Sequence, residues 1–217
     1  MMPNFNIDHD RHNRLGFSEV IFGASKSVED IVAILNDHIA HNKNALVTKL
    51  QASQLAVLQE KFSRGIADPA SGIFMLEEVP DNDTREVAIV SAGTSDIHVV
   101  NEAYYTLKFM GTGADRISDV GVAGIHRLMN RLDELKTFKV LIIVAGFEGA
   151  LPSVVGGLLP QPIIAVPSDV GYGVATGGQV ALNAMLASCA NGITVVNINN
   201  GYGAAVAATR ILNQLKR

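Results

Sequence analysis

Four apolar runs and one more polar segment, each of strand length, follow one another through the second half of the chain, separated by glycine-containing turns and helical patterns. They occupy residues 86–92, 115–120, 139–145, 162–167 and 193–198. Hydrophobic residues fill the four apolar runs without alternation, which is typical of parallel strands covered on both faces. The segment 115–120, DRISDV, is the more polar one. Strands that alternate with helices predict a doubly wound α/β fold. Ligands of such folds bind at the carboxyl ends of the strands, where the glycine-rich turns lie.

The only cysteine of the chain, Cys189, falls in one of the helical patterns. Its stripe also contains Leu182, Met185 and Leu186, and it predicts an apolar helix over 176–190. On periodicity alone Cys189 is a core residue, because free cysteine is among the most buried residue types. The Ala-Asn-Gly that follows would end the helix near the glycine-rich turns, where a thiol could reach a ligand.

The first 80 residues are more polar and mix shorter patterns. A helix begins after Ser27, a suitable N-cap, and Glu29 and Asp30 favour its first turn. The other elements predicted there are short strands at 45–50 and 72–79, with a helix at 51–62 between them. The polar, proline-containing segment 79–86 is the best boundary. We therefore expect a small N-terminal α/β region over 1–80 and a larger domain over 81–217.

The histidines of the N-terminal region give no metal signature. His9 and His12 lie near the N-terminus, and no set of histidines has the spacing of a zinc site. His38 and His41 close the first long helix, where positive charge suits the helix dipole. The sequence therefore predicts cationic helix-end residues rather than ligands.

Charge and composition exclude several classes of partner. The net charge of −4 argues against a nucleic-acid surface, which needs clustered lysine and arginine. Apolar runs such as 139–146 are far too short to span a bilayer. One cysteine cannot form an internal disulfide, which fits a reducing compartment, and residues 1–17 lack an apolar core of signal-peptide length. We expect a cytoplasmic protein with no nucleic-acid or membrane partner.

The segment SAGTSD, residues 91–96, closes the first of the five strands and opens a helix. Gly93 allows a ligand to approach the backbone closely. The amides and hydroxyls of Thr94 and Ser95 could hold a phosphate at the helix N-terminus. Asp96 is either a functional carboxylate or only an N-cap.

Two further turns carry charged candidates. Glu148, between glycines in VAGFEGALPS, is either a base or metal ligand, or a solvated loop carboxylate. His126 and Arg127 are adjacent on a predicted helix in GVAGIHRL. Arg127 could bind a phosphate or carboxylate in bidentate fashion, and the alternative is a pair on the helix surface.

Six segments in this order resemble the LarB family of pyridinium-3,5-biscarboxylic acid mononucleotide synthases: SAGTSD, DVGVAGIHRL, VAGFEGALPSVVGGL, PIIAVPSDVGYG, MLASCANGITVVN and NGYGAA. The resemblance covers residues 86–212, and RLGFSEVIFGASKSVEDI at 14–31 is similar to the N-terminal region of the family. The second half is also similar to the AIR carboxylases of purine synthesis. The resemblance implies a flavodoxin-like fold and a homo-oligomer, an octamer or a similar ring.

The resemblance to the LarB family implies a reaction as well. The substrates are nicotinic acid adenine dinucleotide and carbon dioxide or bicarbonate, and the products are the dicarboxylated mononucleotide and AMP. This reaction is the first step of nickel-pincer nucleotide cofactor biosynthesis. Cys189, in SCANG, is implied to be a transient nucleophile that activates the pyridinium ring. Magnesium is implied as the ion that offsets the pyrophosphate charge through oxygen ligands, which the resemblance leaves unassigned.

Site roles are implied in the same way. Asp96 is the first candidate for the proton acceptor, and Glu148 is the second, or a metal ligand. The residues implied to bind substrate are Ser91, Gly93, Thr94, Ser95, His126, Arg127, Gly146, Gly149, Ala150, Gly171, Tyr172, Gly173, Asn200 and Gly201. Among these, the glycine and alanine amides at 93, 146, 149 and 150 would hold phosphate or carboxylate groups.

Three positions depart from the pattern expected of the LarB family. Asn199 stands where many relatives have aspartate, Ser168-Asp169 where Thr-Ser or a similar pair is expected, and His98 where proline is common. Two other functions stay open. An AIR carboxylase or mutase would need neither the cysteine nor residues 14–31, and a pyridine-nucleotide-binding module would catalyse nothing.

Overall fold

The computed structural model describes residues 5–216. The chain divides into two compact units between Pro80 and Asp81, a position inside the polar segment 79–86. Within the described residues, every helix is too short or too polar to cross a membrane.

The N-terminal unit combines three helices with a four-stranded mixed sheet. The helices are α1 (Arg11–Leu15), α2 (Val28–Ala40) and α3 (Ala52–Lys61), and the strands are β1 (Val20–Phe22), β2 (Leu46–Thr48), β3 (Ile66–Asp68) and β4 (Ile73–Met75). The strand order is β1-β2-β4-β3, in which only β1 and β2 are parallel. Apolar side chains from α2, α3 and the sheet, including Leu35, Leu58 and Phe74, form one buried core.

The first long helix begins as its sequence predicts. The Ser27 hydroxyl accepts the N–H of Asp30 at 3.1 Å, so Ser27 caps α2. Strands β2 and β4 and helix α3 lie inside their predicted ranges. Elements α1, β1 and β3 were not predicted, because three to five residues are too few to show a period.

His38 is not the cationic helix-end residue that the sequence predicts. Its side chain lies in the core at 3% exposure, and Nδ1 lies 3.0 Å from the carbonyl oxygen of Ile34. Burial lowers the pKa of His38, which favours the neutral ring. The helix dipole argument fails here because desolvation of a buried charge outweighs it.

The C-terminal unit holds the larger sheet. Its strands are β5 (Val87–Ser91), β6 (Ala114–Ile117), β7 (Val140–Ala145), β8 (Ile163–Pro167) and β9 (Ile193–Val195). Its helices are α4 (Ile97–Phe109), α5 (Ile125–Met129), α6 (Leu132–Leu135), α7 (Leu151–Leu158), α8 (Gln179–Leu186) and α9 (Gly201–Leu215). All four strand pairs are parallel, and the strand order is β6-β5-β7-β8-β9.

Helices cover both faces of this sheet. One apolar core contains side chains of α7 and α8 on one face, and a second contains side chains of α4 and α9 on the other. The predicted doubly wound α/β fold is therefore confirmed. The chain leaves β5 for β6 on one side and places β7 on the other side of β5. This change of direction is the topological switch point, where such folds bind ligands.

The predicted helix over 176–190 is shorter than its apolar pattern indicates. Helix α8 begins at Gln179, after Gly177 and Gly178, whose left-handed φ of +77° interrupts the helix. It ends at Leu186, and the Ser188 hydroxyl accepts the N–H of Ala190 at 3.2 Å. This local hydrogen bond competes with helix continuation. Cys189 therefore lies beyond the helix and is exposed, so its assignment to the core was wrong.

Candidate functional site

A cavity of about 330 Å³ lies at the carboxyl ends of β5, β6 and β7. Seven residues singled out in the sequence line it: Gly93, Ser95, Asp96, Arg127, Gly146, Glu148 and Ala150. Apolar side chains, among them Val122, Phe147 and Leu151, complete the wall. Its volume falls within the range of small-ligand sites.

Asp96 is the buried carboxylate of this cavity. It is 2% exposed, and its Oδ2 accepts the N–H of Gly93 at 3.0 Å. Its Oδ1 is buried and has no hydrogen-bond partner among the described residues. Burial raises the pKa of Asp96, whereas the Gly93 amide and the Ser168 hydroxyl favour the ionised form and partly oppose this. A carboxylate held in this way is a stronger base than a solvated one.

The turn before Asp96 leaves its backbone open on one side. A Cβ built on Gly93 would meet nothing closer than Oδ2 of Asp96, at 3.8 Å, so a ligand has room there. Thr94 and Ser95 are exposed, and Ser95 lines the cavity. Ser91 is buried beneath the turn, where its hydroxyl donates to the carbonyl of Gly93 at 3.3 Å. Asp96 stands at the N-cap position of α4, but its side chain makes no bond to that helix.

Arg127 reaches the cavity from α5. Its Nη1 donates to Oδ2 of Asp119 at 2.5 Å, which fixes the guanidinium at the cavity wall. Five N–H donors belong to a guanidinium, and this contact occupies one of them. His126 is exposed on the same helix and is not among the lining residues. Asp119 was not predicted as a site residue. The Asp-Val-Gly sequence at 119–121, just after β6, is the feature that could have indicated it.

The loop after β7 brings Glu148 to the cavity and packs its glycines against a neighbouring loop and helix. A Cβ on Gly146 would lie 2.2 Å from the carbonyl oxygen of Val170, and one on Gly149 would lie 2.8 Å from that of Ala181. The Gly149 N–H already donates to the carbonyl of Gly146 at 2.9 Å, and Gly149 is not in the lining. Loop packing therefore explains these two glycines, and Glu148 is left exposed at the mouth.

The turn after β8 contributes Val170 to the cavity wall, whereas residues 171–173 of the same turn are not in the lining. Tyr172 is 78% exposed, and its ring meets Phe147 edge to face with centroids 5.5 Å apart. A Cβ on Gly171 would lie 2.7 Å from the carbonyl oxygen of Ala175, while Gly173 adopts a φ of +59° in open space. The aromatic pair extends the cavity wall outward.

Asn200 and Gly201 have structural roles at the start of α9. The Asn200 side chain accepts the N–H of Gly203 at 2.8 Å and caps the helix. The Gly201 N–H donates to Oε2 of the buried Glu102 at 2.9 Å. A Cβ on Gly201 would lie 2.5 Å from the carbonyl oxygen of Val99, so α9 needs glycine to pack against α4. Neither residue lines the cavity.

Cys189 follows α8, is exposed, and is not among the residues that line the cavity. Its neighbour Ser188 shares a hydrogen bond of 2.6 Å with Ser153, whereas Leu151 lines the cavity. Residues two positions apart point to opposite sides of a helix with 3.6 residues per turn. Within one copy of the chain, the thiol and Asp96 therefore do not share a cavity.

Comparison with known protein families identifies residues 2–78 as a LarB/PurE-like N-terminal domain and residues 86–217 as an AIR carboxylase domain. The chain belongs to the LarB family. It is also 38% identical over 211 residues to "Uncharacterized protein MJ0165" of Methanocaldococcus jannaschii, covering 93% of this chain and 81% of that protein. The two domains support a carboxylase-family enzyme.

Solved structures resemble the fold of this LarB-family chain. Treponema denticola PurE matches with a TM-score of 0.51 and 23% identity, over 60% of this chain and 81% of that one. The structure of a single-substitution variant of Treponema denticola PurE2 matches with a TM-score of 0.50 and 24% identity, over 60% of this chain and 82% of that one. At these identities the likeness concerns the fold alone.

The three positions that depart from the LarB pattern contact one another beside Asp96. Nε2 of His98 lies 3.3 Å from a carboxylate oxygen of Asp169 and 3.3 Å from the side-chain oxygen of Asn199. The same Asn199 oxygen accepts the N–H of Asp169 at 3.0 Å. Asn199 adopts a φ of +55°, a conformation that asparagine tolerates better than most residues. The sequence did not predict this contact, because it depends on the side-chain and backbone conformations of three separate turns.

Proposed function

We propose that this LarB-family enzyme carboxylates the pyridinium ring of nicotinic acid adenine dinucleotide and hydrolyses its phosphoanhydride. The products are pyridinium-3,5-biscarboxylic acid mononucleotide and AMP, in the first step of nickel-pincer nucleotide biosynthesis. The observation that carries the proposal is the LarB/PurE-like N-terminal domain joined to an AIR carboxylase domain that bears Cys189. AIR carboxylation would require neither feature.

The chemistry explains why an exposed thiol is useful. The pyridinium ring is electron-poor and does not attack carbon dioxide. A thiolate that adds to a carbon next to the target position converts the ring into an enamine, whose carbon forms the new bond to carbon dioxide. A base then removes the proton from that carbon, and the ring regains its aromaticity as the thiolate leaves. Covalent catalysis of this kind divides one difficult step into easier ones.

In this scheme Asp96 is the base. Its unpartnered, buried Oδ1 and raised pKa favour proton acceptance. Arg127 supplies positive charge beside the open Gly93 backbone, and these two groups would bind the anionic substrate. Hydrolysis of the anhydride needs a water molecule, which would enter at the exposed cavity mouth beside Glu148.

Magnesium fits this cavity only together with the substrate. Glu148 and Asp96 are the carboxylates of its lining, and magnesium is commonly held by one or two carboxylates plus substrate phosphates. Glu148 would hold such an ion, which would neutralise the charge of the pyrophosphate.

The thiol would reach the substrate through assembly. Cys189 is exposed and lies outside the cavity of its own copy. We therefore place it at the cavity of a second copy in a homo-oligomer, an octamer or a similar ring. Light scattering should then show an oligomer at micromolar concentration, and a fully active monomer would contradict this arrangement.

Turnover of defined substrates tests the proposal. The protein is incubated with nicotinic acid adenine dinucleotide, bicarbonate and magnesium, and the products are weighed by mass spectrometry. We expect AMP and the dicarboxylated mononucleotide in equal amounts. Carboxylation of aminoimidazole ribonucleotide instead would identify an AIR carboxylase. Binding of the dinucleotide without any product would identify a binding module.

A further inference from the structure

A cluster of one carboxylate and two imidazoles lies in the N-terminal unit, from which the proposed chemistry uses no side chain. Nε2 of His9 lies 2.7 Å from Oδ2 of Asp37, and Nδ1 of His41 lies 3.6 Å from the same oxygen. All three potential ligand atoms lie within 4.8 Å of one another. This is the one group of metal-ligand type found among residues 5–216.

Two separate parts of the chain supply these groups. Asp37 and His41 are four positions apart on and just after α2, so they lie one above the other on one face. His9 comes from the segment before α1, and its carbonyl oxygen accepts a hydrogen bond from the Lys43 ammonium. The backbone of His9 is therefore held next to the end of α2, although 28 residues separate it from Asp37.

The donor set suits zinc. Imidazole nitrogen and carboxylate oxygen both bind Zn²⁺ at about 2.0–2.2 Å, in tetrahedral sites that can leave one position to water. Such bonds place neighbouring ligand atoms roughly 3.3 Å apart, and the observed separations of 2.7 and 3.6 Å bracket that value.

Metal binding would require two adjustments of these side chains, and the exposure of His41 permits the first, a turn of its ring. Nδ1 of His41 now lies 2.7 Å from the carbonyl oxygen of Asp37, and the ring stacks on His9 with centroids 4.0 Å apart. A turn of the half-exposed His41 ring would separate the rings and release Nδ1 from this carbonyl. The proton that Nδ1 donates there would move to Nε2 through solvent, which leaves the Nδ1 lone pair for the metal. An ion would also replace the present contact between His9 and Asp37 by two metal bonds.

The surroundings are compatible with a divalent cation. His38 is buried beside the cluster, with its ring centroid 5.5 Å from that of His9. Nδ1 of His38 is engaged by the carbonyl oxygen of Ile34, 3.0 Å away. The Lys43 ammonium is directed to a backbone carbonyl rather than to the ligand atoms.

We propose that His9, Asp37 and His41 form a binding site for a zinc-type transition metal, with water as the fourth ligand. The bound ion would connect the segment around His9 to the end of α2. Because metal-binding energy at such a site adds to folding energy, the site would stabilise the N-terminal unit.

Zinc titration of the full-length, chelator-treated protein tests this site. The measurements use a Cys189→Ser background, because the exposed thiol is itself a zinc ligand. We expect one tightly bound zinc per chain and a thermal midpoint that rises with zinc. His9→Ala and His41→Ala should weaken binding by more than about 100-fold, the upper end of the effect of losing an outer-shell partner. His12→Ala is the matched control, exposed in the same segment and outside the ligand set, and should bind as the parent does.

Two results would overturn the proposal. The first is unchanged zinc affinity and stoichiometry in both His9→Ala and His41→Ala. The second comes from the parent protein, and so does not depend on the folding of any variant: cobalt(II) added in place of zinc should produce the intense visible absorption of a tetrahedral nitrogen–oxygen site. Absence of that absorption and of zinc binding, even with the metal in large excess over the protein, would exclude a metal site.

Discussion

Asp96 is the base of the proposed reaction. It is almost fully buried, it lines the cavity, and one of its oxygens has no partner in the described part of the chain. Burial of an unpaired carboxylate oxygen is costly, and perturbed groups of this kind cluster at functional sites. A role confined to helix capping would not need this arrangement.

Replacement of this carboxylate should remove activity and leave the fold intact. We expect Asp96→Asn to lower kcat by about 10²–10⁴-fold, the usual contribution of a general base. The ionised form is the base and burial raises the pKa of Asp96. The wild-type rate should therefore fall with decreasing pH while the pH is still above the ordinary aspartate pKa of about 3.9. A pH–rate profile measures this fall.

The control for this substitution is Asp133→Asn, at a side chain that is 97% exposed. It should change neither kcat nor the pH profile. Circular dichroism and dinucleotide binding of Asp96→Asn should match those of the wild type. An Asp96→Asn enzyme that keeps more than half of the wild-type rate would exclude Asp96 as the base.

Residues that follow a strand directly could be predicted from the sequence, and residues placed by a local turn could not. Gly93, Ser95 and Asp96 follow β5, so the carboxyl-end rule brings them to the cavity. Cys189 was assigned to a helix because its stripe continues through Leu186. The Ser188 hydrogen bond that ends this pattern depends on side-chain conformation, which periodicity does not contain.

At the scale of elements, the length of each strand or helix decided whether the sequence could predict it. Four of the five strands of the larger sheet were located because buried parallel strands read as continuous apolar runs. The predicted runs at 115–120 and 193–198 are longer than β6 and β9, the two edge strands. An edge strand has one neighbour instead of two, so its pairing ends before the end of the predicted segment. The three-residue strands β1 and β3 leave no readable pattern at all.

The loop between β7 and α7 gives a sharp test of element packing. Gly149→Ala should destabilise the protein by more than about 2 kcal/mol, because strain at positive φ and overpacking each cost about 1–3 kcal/mol. The φ of Gly149 is +63°, and a Cβ there would lie 2.8 Å from the Ala181 carbonyl oxygen. Chemical denaturation measures the change.

Gly157→Ala, in the next helix, is the matched control. Gly157 is exposed near the end of α7, and nothing lies within 4 Å of a Cβ built there. Alanine in a helix is about 0.5–1 kcal/mol more favourable than glycine, so this variant should be slightly more stable than wild type. Equal destabilisation by both substitutions would mean that loop packing does not determine the choice of glycine at 149.

At the scale of the whole molecule, two domain families in one chain are what distinguish the proposed reaction from AIR carboxylation. The sequence contains both signals, in residues 14–31 and in the turns after residue 86. It does not show that Cys189 lies outside the cavity lined by Asp96, because the lining of a cavity is set by the folded chain. The proposed reaction therefore depends on assembly, which is a property of several copies.

The central claim is that carboxylation requires the thiol of Cys189, and incorporation of ¹³C-bicarbonate into nicotinic acid adenine dinucleotide tests it most directly. Cys189→Ser changes little volume at an exposed position, so fold, oligomeric state and dinucleotide binding should persist. A thiol ionises far more readily than a serine hydroxyl, so the serine variant should form no labelled product while the wild type does. A Cys189→Ser protein that incorporates label at close to the wild-type rate would contradict the account.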